Sequence, residues 1–221
     1  TSSDVYNVGD TKQVEIEGQK YTLRVANNTT PSECSNEGFS QTACGFVVEF
    51  ADIVEEERKM NSTGTNAGGW PATAMRTYAN NEFYNKLPEE LRNVIKSTKV
   101  VSGHGNNDKN NERTDGNWES EDKIYLLSAH EVWEGDTSTQ VSTYDTAWDN
   151  TRQLDYYKKL GVTTDSISGT IKIYDSLEWD WWLRGAYSNN NGGFLLVGSD
   201  GGWYGNRADI TYGFAPAFRI G

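Results

Sequence analysis

The residue types that do chemistry in proteins are few in this chain and poorly spaced for it. Histidine occurs twice, as His104 and His130, and neither has a second His or a Cys nearby. A zinc set or a nucleophile with its base needs such neighbours, so the reading assigns no metal and no catalytic role to either. Cys34 and Cys44 are the only cysteines. Alone they make neither a zinc site nor a CxxC redox pair. In an oxidising compartment their spacing suits a loop-closing disulfide, in a reducing one they would be two thiols, and the disulfide is favoured. Asp108, Asp115, Glu119, Glu121 and Asp122 could offer oxygens to calcium, but without the ordered spacing of a calcium loop they read as a solvated acidic segment. The chain has no GxSxG elbow, P-loop or HExxH helix, and no acid–base pair stands out among 32 carboxylates. The expectation is a protein without catalysis and without a cofactor.

Recognition is better supplied. Trp179-Asp180-Trp181-Trp182-Leu183-Arg184 and Gly213-Phe214-Ala215-Pro216-Ala217-Phe218-Arg219-Ile220 are dense apolar phrases, and a Trp cluster of this kind is more often core than ligand platform. Between them lies Gly185 to Tyr212, rich in Asn, Gly, Ser, Asp and Tyr, which cannot bury itself as a helix. A rigid frame holding a polar, displayed surface is the expectation; solvated turns are the plainer alternative.

The elements that must position this tail are legible in part. Val14-Glu15-Ile16 and Tyr21 to Val25 alternate around Glu17-Gly18-Gln19 as a hairpin, and Gly45 to Val54 reads as a strand. Met75, Tyr78, Ala79, Phe83 and Leu87 recur at helical steps, predicting a helix over Pro71 to Lys86. A shorter helix should start at Pro88, with Leu91, Val94 and Ile95 inward. Val100 and Val101 suggest a strand, Gly103 to Ser120 a long exposed loop, and Ile124 to Ser128 a buried strand. A helix is expected within Thr146 to Leu160, stopped by Gly161. Strand and turn signals dominate from Gly169 onward. Strands, then helices, then a loop-rich β region make an α+β arrangement, with two helices packed on antiparallel sheets.

At 221 residues, 35 % apolar, the chain has enough material for a single domain. Its net charge of −12, with no Lys/Arg run, argues against nucleic acid and an anionic membrane surface. No apolar stretch reaches the roughly 20 residues of a membrane span, so no membrane insertion by this segment is expected. No signal peptide precedes Thr1, and the abrupt start suggests a removed targeting segment or domain. A monomer is favoured.

Four phrases taken in order carry a family resemblance. Gly68-Gly69-Trp70-Pro71-Ala72-Thr73-Ala74-Met75-Arg76, Leu126-Leu127-Ser128-Ala129-His130-Glu131-Val132-Trp133, Trp181-Trp182-Leu183-Arg184 and Gly213 to Ile220 are similar to a bacterial and phage domain family of C-type lectin-like fold. Its members often serve as variable proteins of diversity-generating retroelements. The resemblance spans roughly residues 45–221, while 1–44 match only as generic β structure. It implies a C-type lectin-like fold with 185–212 as the diversified region. Randomised adenines turn Asn codons into codons ending in C or T, which never encode Lys, Glu, Gln, Met or Trp. Residues 185–221 contain no Lys, Glu, Gln or Met, against 35 in the first 184, a density that would place about seven there. The lone Trp203 would be a fixed position.

The resemblance then divides the tail. Trp179, Trp181, Trp182, Leu183, Phe194, Val197, Phe214, Pro216, Phe218 and Ile220 supply the frame. The ligand-binding set is Tyr187, Asn189, Asn190, Asn191, Gly192, Gly198, Asp200, Gly202, Trp203, Tyr204, Asn206, Arg207, Asp209, Ile210 and Tyr212, with Tyr187, Tyr204, Arg207 and Tyr212 as anchors. The implied partner is an unknown protein or glycan, and the implied location extracellular, on a cell or a virion. Trp148-Asp149-Asn150 is similar to a short motif of calcium-dependent lectins, whose partner Glu-Pro-Asn or Gln-Pro-Asp loop is missing. Two alternatives stand beside this reading. One is a constant surface adhesin or carbohydrate-binding module stacking sugars on Tyr187, Trp203 and Tyr204. The other is a relative of formylglycine-generating oxidases, whose paired C-terminal cysteines have no counterpart here.

Overall fold

The computed structural model describes residues 5–103, 118–134, 150–187 and 190–221. The alternating phrases near the start of the chain lie in β1 (Thr11–Ile16) and β2 (Gln19–Asn27), paired antiparallel with Ile16 opposite Gln19. Glu17 and Gly18 turn the corner at φ 50° and 82°, the left-handed geometry a two-residue hairpin requires.

The expected strand over Gly45 to Val54 is two strands with a crossing between them. In β3 (Val47–Phe50) the chain pairs with β2, whereas β4 (Glu55–Arg58) belongs to a second sheet. The amide of Ala51 donates to Thr22 O (2.9 Å) in the first sheet and that of Val54 to Phe214 O (2.9 Å) in the second. The run is mostly apolar, broken only by Glu49 and Asp52, and a mostly apolar run cannot by itself reveal such a crossing.

The helix expected from Pro71 begins three residues later. Trp70–Ala72 form a 3₁₀ turn, Thr73 caps α1 (Ala74–Tyr78) by accepting from Arg76 N (3.0 Å), and a π turn (Ala79–Phe83) runs on into α2 (Tyr84–Lys86). Within the π turn, Asn80 reaches another segment. Its Oδ1 accepts from Lys123 N (2.7 Å) and Ile124 N (3.1 Å), and its Nδ2 donates to Ile124 O (2.8 Å). From Pro88 there is only the single-turn α3 (Glu89–Arg92); Ile95 is buried in β5 (Ile95–Lys96), but Val94 is 40 % exposed, not inward.

Val100 and Val101 lie in β6 (Thr98–Ser102), paired with β7 (Trp118–Asp122), so the last three residues of the expected loop are strand, while residues 104–117 of it lie outside the described residues. Ile124 to Ser128 is buried as expected, yet it is extended chain with one bridge, Tyr125 to Ala217, and not a full strand. Next come α4 (Ala129–Val132), opened by a Ser128–Glu131 capping box, and α5 (Asp155–Lys159), which is shorter than expected. Residues 150–154 are not helical, and Gly161 stops the turn at φ 67°. Trp148-Asp149 lies outside the described residues.

The tail is β-rich: β8 (Lys172–Tyr174), β9 (Leu177–Trp179), β10 (Trp181–Ala186), β11 (Gly193–Val197), β12 (Trp203–Arg207), β13 (Tyr212–Phe214) and β14 (Ala217–Ile220). The first sheet runs β1-β2-β3-β14-β5 and the second β12-β11-β10-β13-β4. Between the named strands pairing is antiparallel except where β10 meets β13, a departure from the all-antiparallel expectation. The architecture is mixed α+β, mostly sheet with short helices. The phrase Gly213 to Ile220 mirrors the crossing of β3 and β4: Phe214 pairs in the second sheet, Ala217 in the first, and Pro216 sits between with its carbonyl accepting from Phe50 N (3.0 Å). One hydrophobic cluster connects both sheets, with Trp70, Trp133, Trp181 and Trp182 fully buried in it. Cys34 and Cys44 are joined in a disulfide.

Candidate functional site

Every residue of β10 is buried, and Trp181, Trp182 and Arg184 each hydrogen-bond inside the protein. Arg184 donates to both carboxylate oxygens of Glu131 (2.7 and 2.9 Å), and Glu131 also accepts from Thr151 Oγ1 (2.9 Å), Ser128 N (3.0 Å) and Thr42 Oγ1. Arg184 leads the causes that hold the Glu131 carboxyl below its ordinary range, against the opposing effect of burial. Trp181 and Trp182 anchor their indole N–H groups on Thr170 O (3.2 Å) and Arg58 O (2.7 Å). Glu49 forms a second buried hub, accepting from Arg24 (2.8 Å), Lys172 (3.0 Å) and Tyr157 (2.8 Å). These pairings belong to the frame.

Strand alternation divides the expected ligand-binding set between two surfaces. In the β11–β12 ladder Gly193 lies opposite Arg207, Leu195 opposite Gly205 and Val197 opposite Trp203; Phe194 faces Asn206 and Leu196 faces Tyr204. Trp203, Gly205 and Arg207 therefore share one face, and Tyr204 and Asn206 the other.

On the first face Tyr187 packs against Gly193 and Gly205, where side chains would collide with its ring. Arg207 packs across Gly64 and is held bidentate by Asp209 (3.1 and 2.8 Å). Asn190 Oδ1 accepts from the amides of Gly192 (3.0 Å) and Gly193 (2.9 Å). Tyr187, Asn190, Asn191, Gly192, Asn206 and Arg207, with Gly64, Gly193 and Gly205, line an open depression of about 500 Å³.

On the second face Tyr204 is half exposed, lies over Gly198 and Gly202, and donates to Asp200 Oδ2 (2.8 Å). Gly202 N donates to Asp200 Oδ1 (2.9 Å). That backbone donor first, then the Tyr204 hydroxyl, lowers the Asp200 pKa, and the same hydroxyl bond raises that of Tyr204. Asn206 Nδ2 donates to Tyr212 Oη (2.6 Å), and the Tyr212 ring stands edge-on to Trp182 at 4.9 Å. Tyr212 is thus bound into the frame as much as displayed. Ile210 is 41 % exposed, Trp203 half-buried, and Asn189 lies outside the described residues. Gly192 and Gly198 are buried, which corrects their reading as displayed positions: at Gly192 a Cβ would meet Gly64 O at 2.8 Å, and Gly198 makes room for Tyr204.

Asn66 was not legible as part of this site, yet it organises it. Fully buried, it donates through Nδ2 to Tyr187 O (3.1 Å), Asn190 O (3.0 Å) and Gly193 O (3.0 Å), and through its backbone N to Asn191 O (3.1 Å). Asn61 N donates to Ala208 O (3.0 Å) nearby. The only sequence signal for this wall is the turn-rich run Asn61-Ser62-Thr63-Gly64-Thr65-Asn66. Gly193 and Gly205, which seat Tyr187, carry no signal in the sequence that sets them apart from the other glycines of the tail. Among the described residues no group of three His, Cys, Asp or Glu is arranged to hold a metal ion, and no helix is long and apolar enough to cross a membrane.

The chain belongs to the family described as "Domain of unknown function (DUF6273)", whose model matches residues 47–221, from β3 to the last residue. No curated protein and no solved structure matches it.

Proposed function

We propose that this family member is a non-catalytic ligand-binding module of C-type lectin-like fold, a receptor or adhesin whose region 185–212 is a surface diversified by a retroelement. The observation that carries the reading is the separation of roles in the tail. Buried apolar and ion-paired residues of β10, β11, β13 and β14 hold the fold, while Asp200, Tyr204, Arg207, Asp209 and Ile210 stand on β12 and its turns, paired mainly with one another. A marginally stable domain tolerates heavy substitution only where folding energy does not reside. Missing Lys, Glu, Gln and Met from residue 185 onward are the expected trace of codon-restricted variation. An extracellular, cell-surface or virion-surface location accords with the Cys34–Cys44 disulfide.

One observation favours the constant adhesin as second reading. Tyr187 keeps its seat only while Gly193 and Gly205 remain glycine, so part of this surface is fixed. Sequencing the tail and its neighbouring DNA in related isolates separates the two. A diversified surface predicts changes concentrated at displayed positions such as Tyr204 and Arg207, beside a near-copy of the coding repeat differing at adenines. An invariant tail would refute diversification and leave the adhesin.

A further inference from the structure

The open edge of the second sheet narrows the class of ligand, and we propose that β12 takes an extended, proline-free segment of a protein partner as an added antiparallel strand. This rests on the reading of 185–212 as a binding surface. β12 is the end strand of its sheet. Gly198 N donates to Gly202 O (2.8 Å) and Ala208 N to Gly192 O (2.9 Å), pairs that continue the register in which Leu196 lies opposite Tyr204 and Phe194 opposite Asn206. Hydrogen-bonded pairs alternate with non-bonded ones along an antiparallel ladder. Tyr204 and Asn206 therefore bond inward to β11, while the N–H and C=O groups of Trp203 and Gly205 point to the open edge. Among the described residues nothing bonds to those outward groups. An antiparallel strand would offer each of the two residues both a donor and an acceptor. Arg207 N, next in the outward series, donates to Asn206 Oδ1 (2.8 Å), which closes the ladder at that end.

The other edges of the two five-stranded sheets are blunted against such pairing. β4 is charged throughout, from Glu55 to Arg58, β5 is two residues long and carries Lys96, and β1 carries Lys12 and Glu15. Short length and exposed charge are the usual protection of an open strand. β12 reads Trp-Tyr-Gly-Asn-Arg, and its one charge is neutralised by Asp209 (2.8 Å). Of the four edges it alone is left able to accept a strand, and it runs through the displayed residues. Backbone pairing does not depend on which side chains flank it, so it survives substitution at Tyr204 and Asn206, whose side chains select among partners. A second copy of the chain is opposed by the net charge of −12, which makes copies repel.

The test pans a displayed library of linear peptides, about 12 residues each, against the full chain. On binding an enriched peptide, the amides of Trp203 and Gly205 should gain protection from exchange. N-methylation of the peptide amides that face β12 should weaken binding at least about tenfold, and methylation of the alternate amides should hold it within about twofold, a period-two pattern that side-chain docking does not give. Trp203→Pro, at the first residue of the strand, should bind at least about fivefold more weakly than Trp203→Val, since only the first lacks the outward donor. Thermal melts establish that both fold, and the methylation series decides independently of them. No enrichment, no period-two dependence, or protection elsewhere than at β12 overturns the proposal. So does a dimer in sedimentation that Trp203→Pro dissociates, which would assign the edge to a second copy. If peptides bind through the side chains of Tyr204 and Arg207 without that pattern, the added strand falls and the binding-surface reading stands. An invariant tail among isolates would remove only the diversification claim.

Discussion

Tyr204 and Tyr212 look equivalent in sequence, two tyrosines in a polar tail, and the structure gives them different work. Tyr204 is half exposed and bonded only to Asp200 among the described side chains, so Tyr204→Ala should change unfolding free energy by less than about 0.5 kcal/mol. Tyr212 packs on Trp182 and accepts from Asn206, so Tyr212→Ala should cost about 1–3 kcal/mol. Trp182→Ala, removing a fully buried ring, should cost about 3–5 kcal/mol. Chemical denaturation of the three variants checks the ranking; equal losses at Tyr204 and Tyr212 would erase the distinction. The frame residues were legible because large aromatics in dense phrases have few places but the core. The partition of tyrosines was not, because it depends on strand register, and a polar segment gives period-2 alternation no apolar face to mark.

At the scale of elements, the backbone at Tyr187, Asn190 and Gly193 is held by Asn66, more than 120 positions away in the chain. Asn66→Ala should destabilise by about 2–3 kcal/mol, leaving only the backbone bond to Asn191. Amide exchange should report it locally, with Tyr187, Gly192 and Gly193 exchanging faster while the β3–β14 pairing stays protected. Unchanged exchange at those three amides would remove Asn66 from its organising role. Local propensity made some elements readable, as with the hairpin at Glu17-Gly18 and the helical face of Met75, Tyr78 and Phe83. It failed where tertiary contacts decide. The crossing between β3 and β4 is set by partners in two different sheets, and the π turn coincides with the Asn80 contacts to Lys123 and Ile124.

For the whole molecule, two buried ionic hubs join separate elements, Arg184–Glu131 linking β10 to α4 and Glu49 linking β2 and β3 to β8 and α5, and the second titrates within reach. Lys172 is pushed down to about 8 by burial, partly offset by Glu49, whereas the unfolded side chain keeps the ordinary 10.5. Between these values the unfolded chain holds a proton the folded one has lost, so stability should rise with pH from about 8 toward 10. Tyr157 works the other way. Burial first, then the neighbouring Glu49, raise its phenol well above 10.0, so stability should fall once unfolded tyrosines ionise. Urea denaturation across this range should give a maximum that Lys172→Met flattens on its acid side; a steady fall from pH 8 would contradict the Lys172 assignment. The central claim is that the surface on β12 is separable from the fold beneath it, and replacing Asp200, Tyr204, Arg207, Asp209 and Ile210 together by Ala tests it most directly. Because the mutually bonded partners are removed in pairs, cooperative unfolding should persist with a loss of no more than about 2 kcal/mol. A loss several-fold larger, or a non-cooperative transition, would mean that this surface is part of what folds the protein.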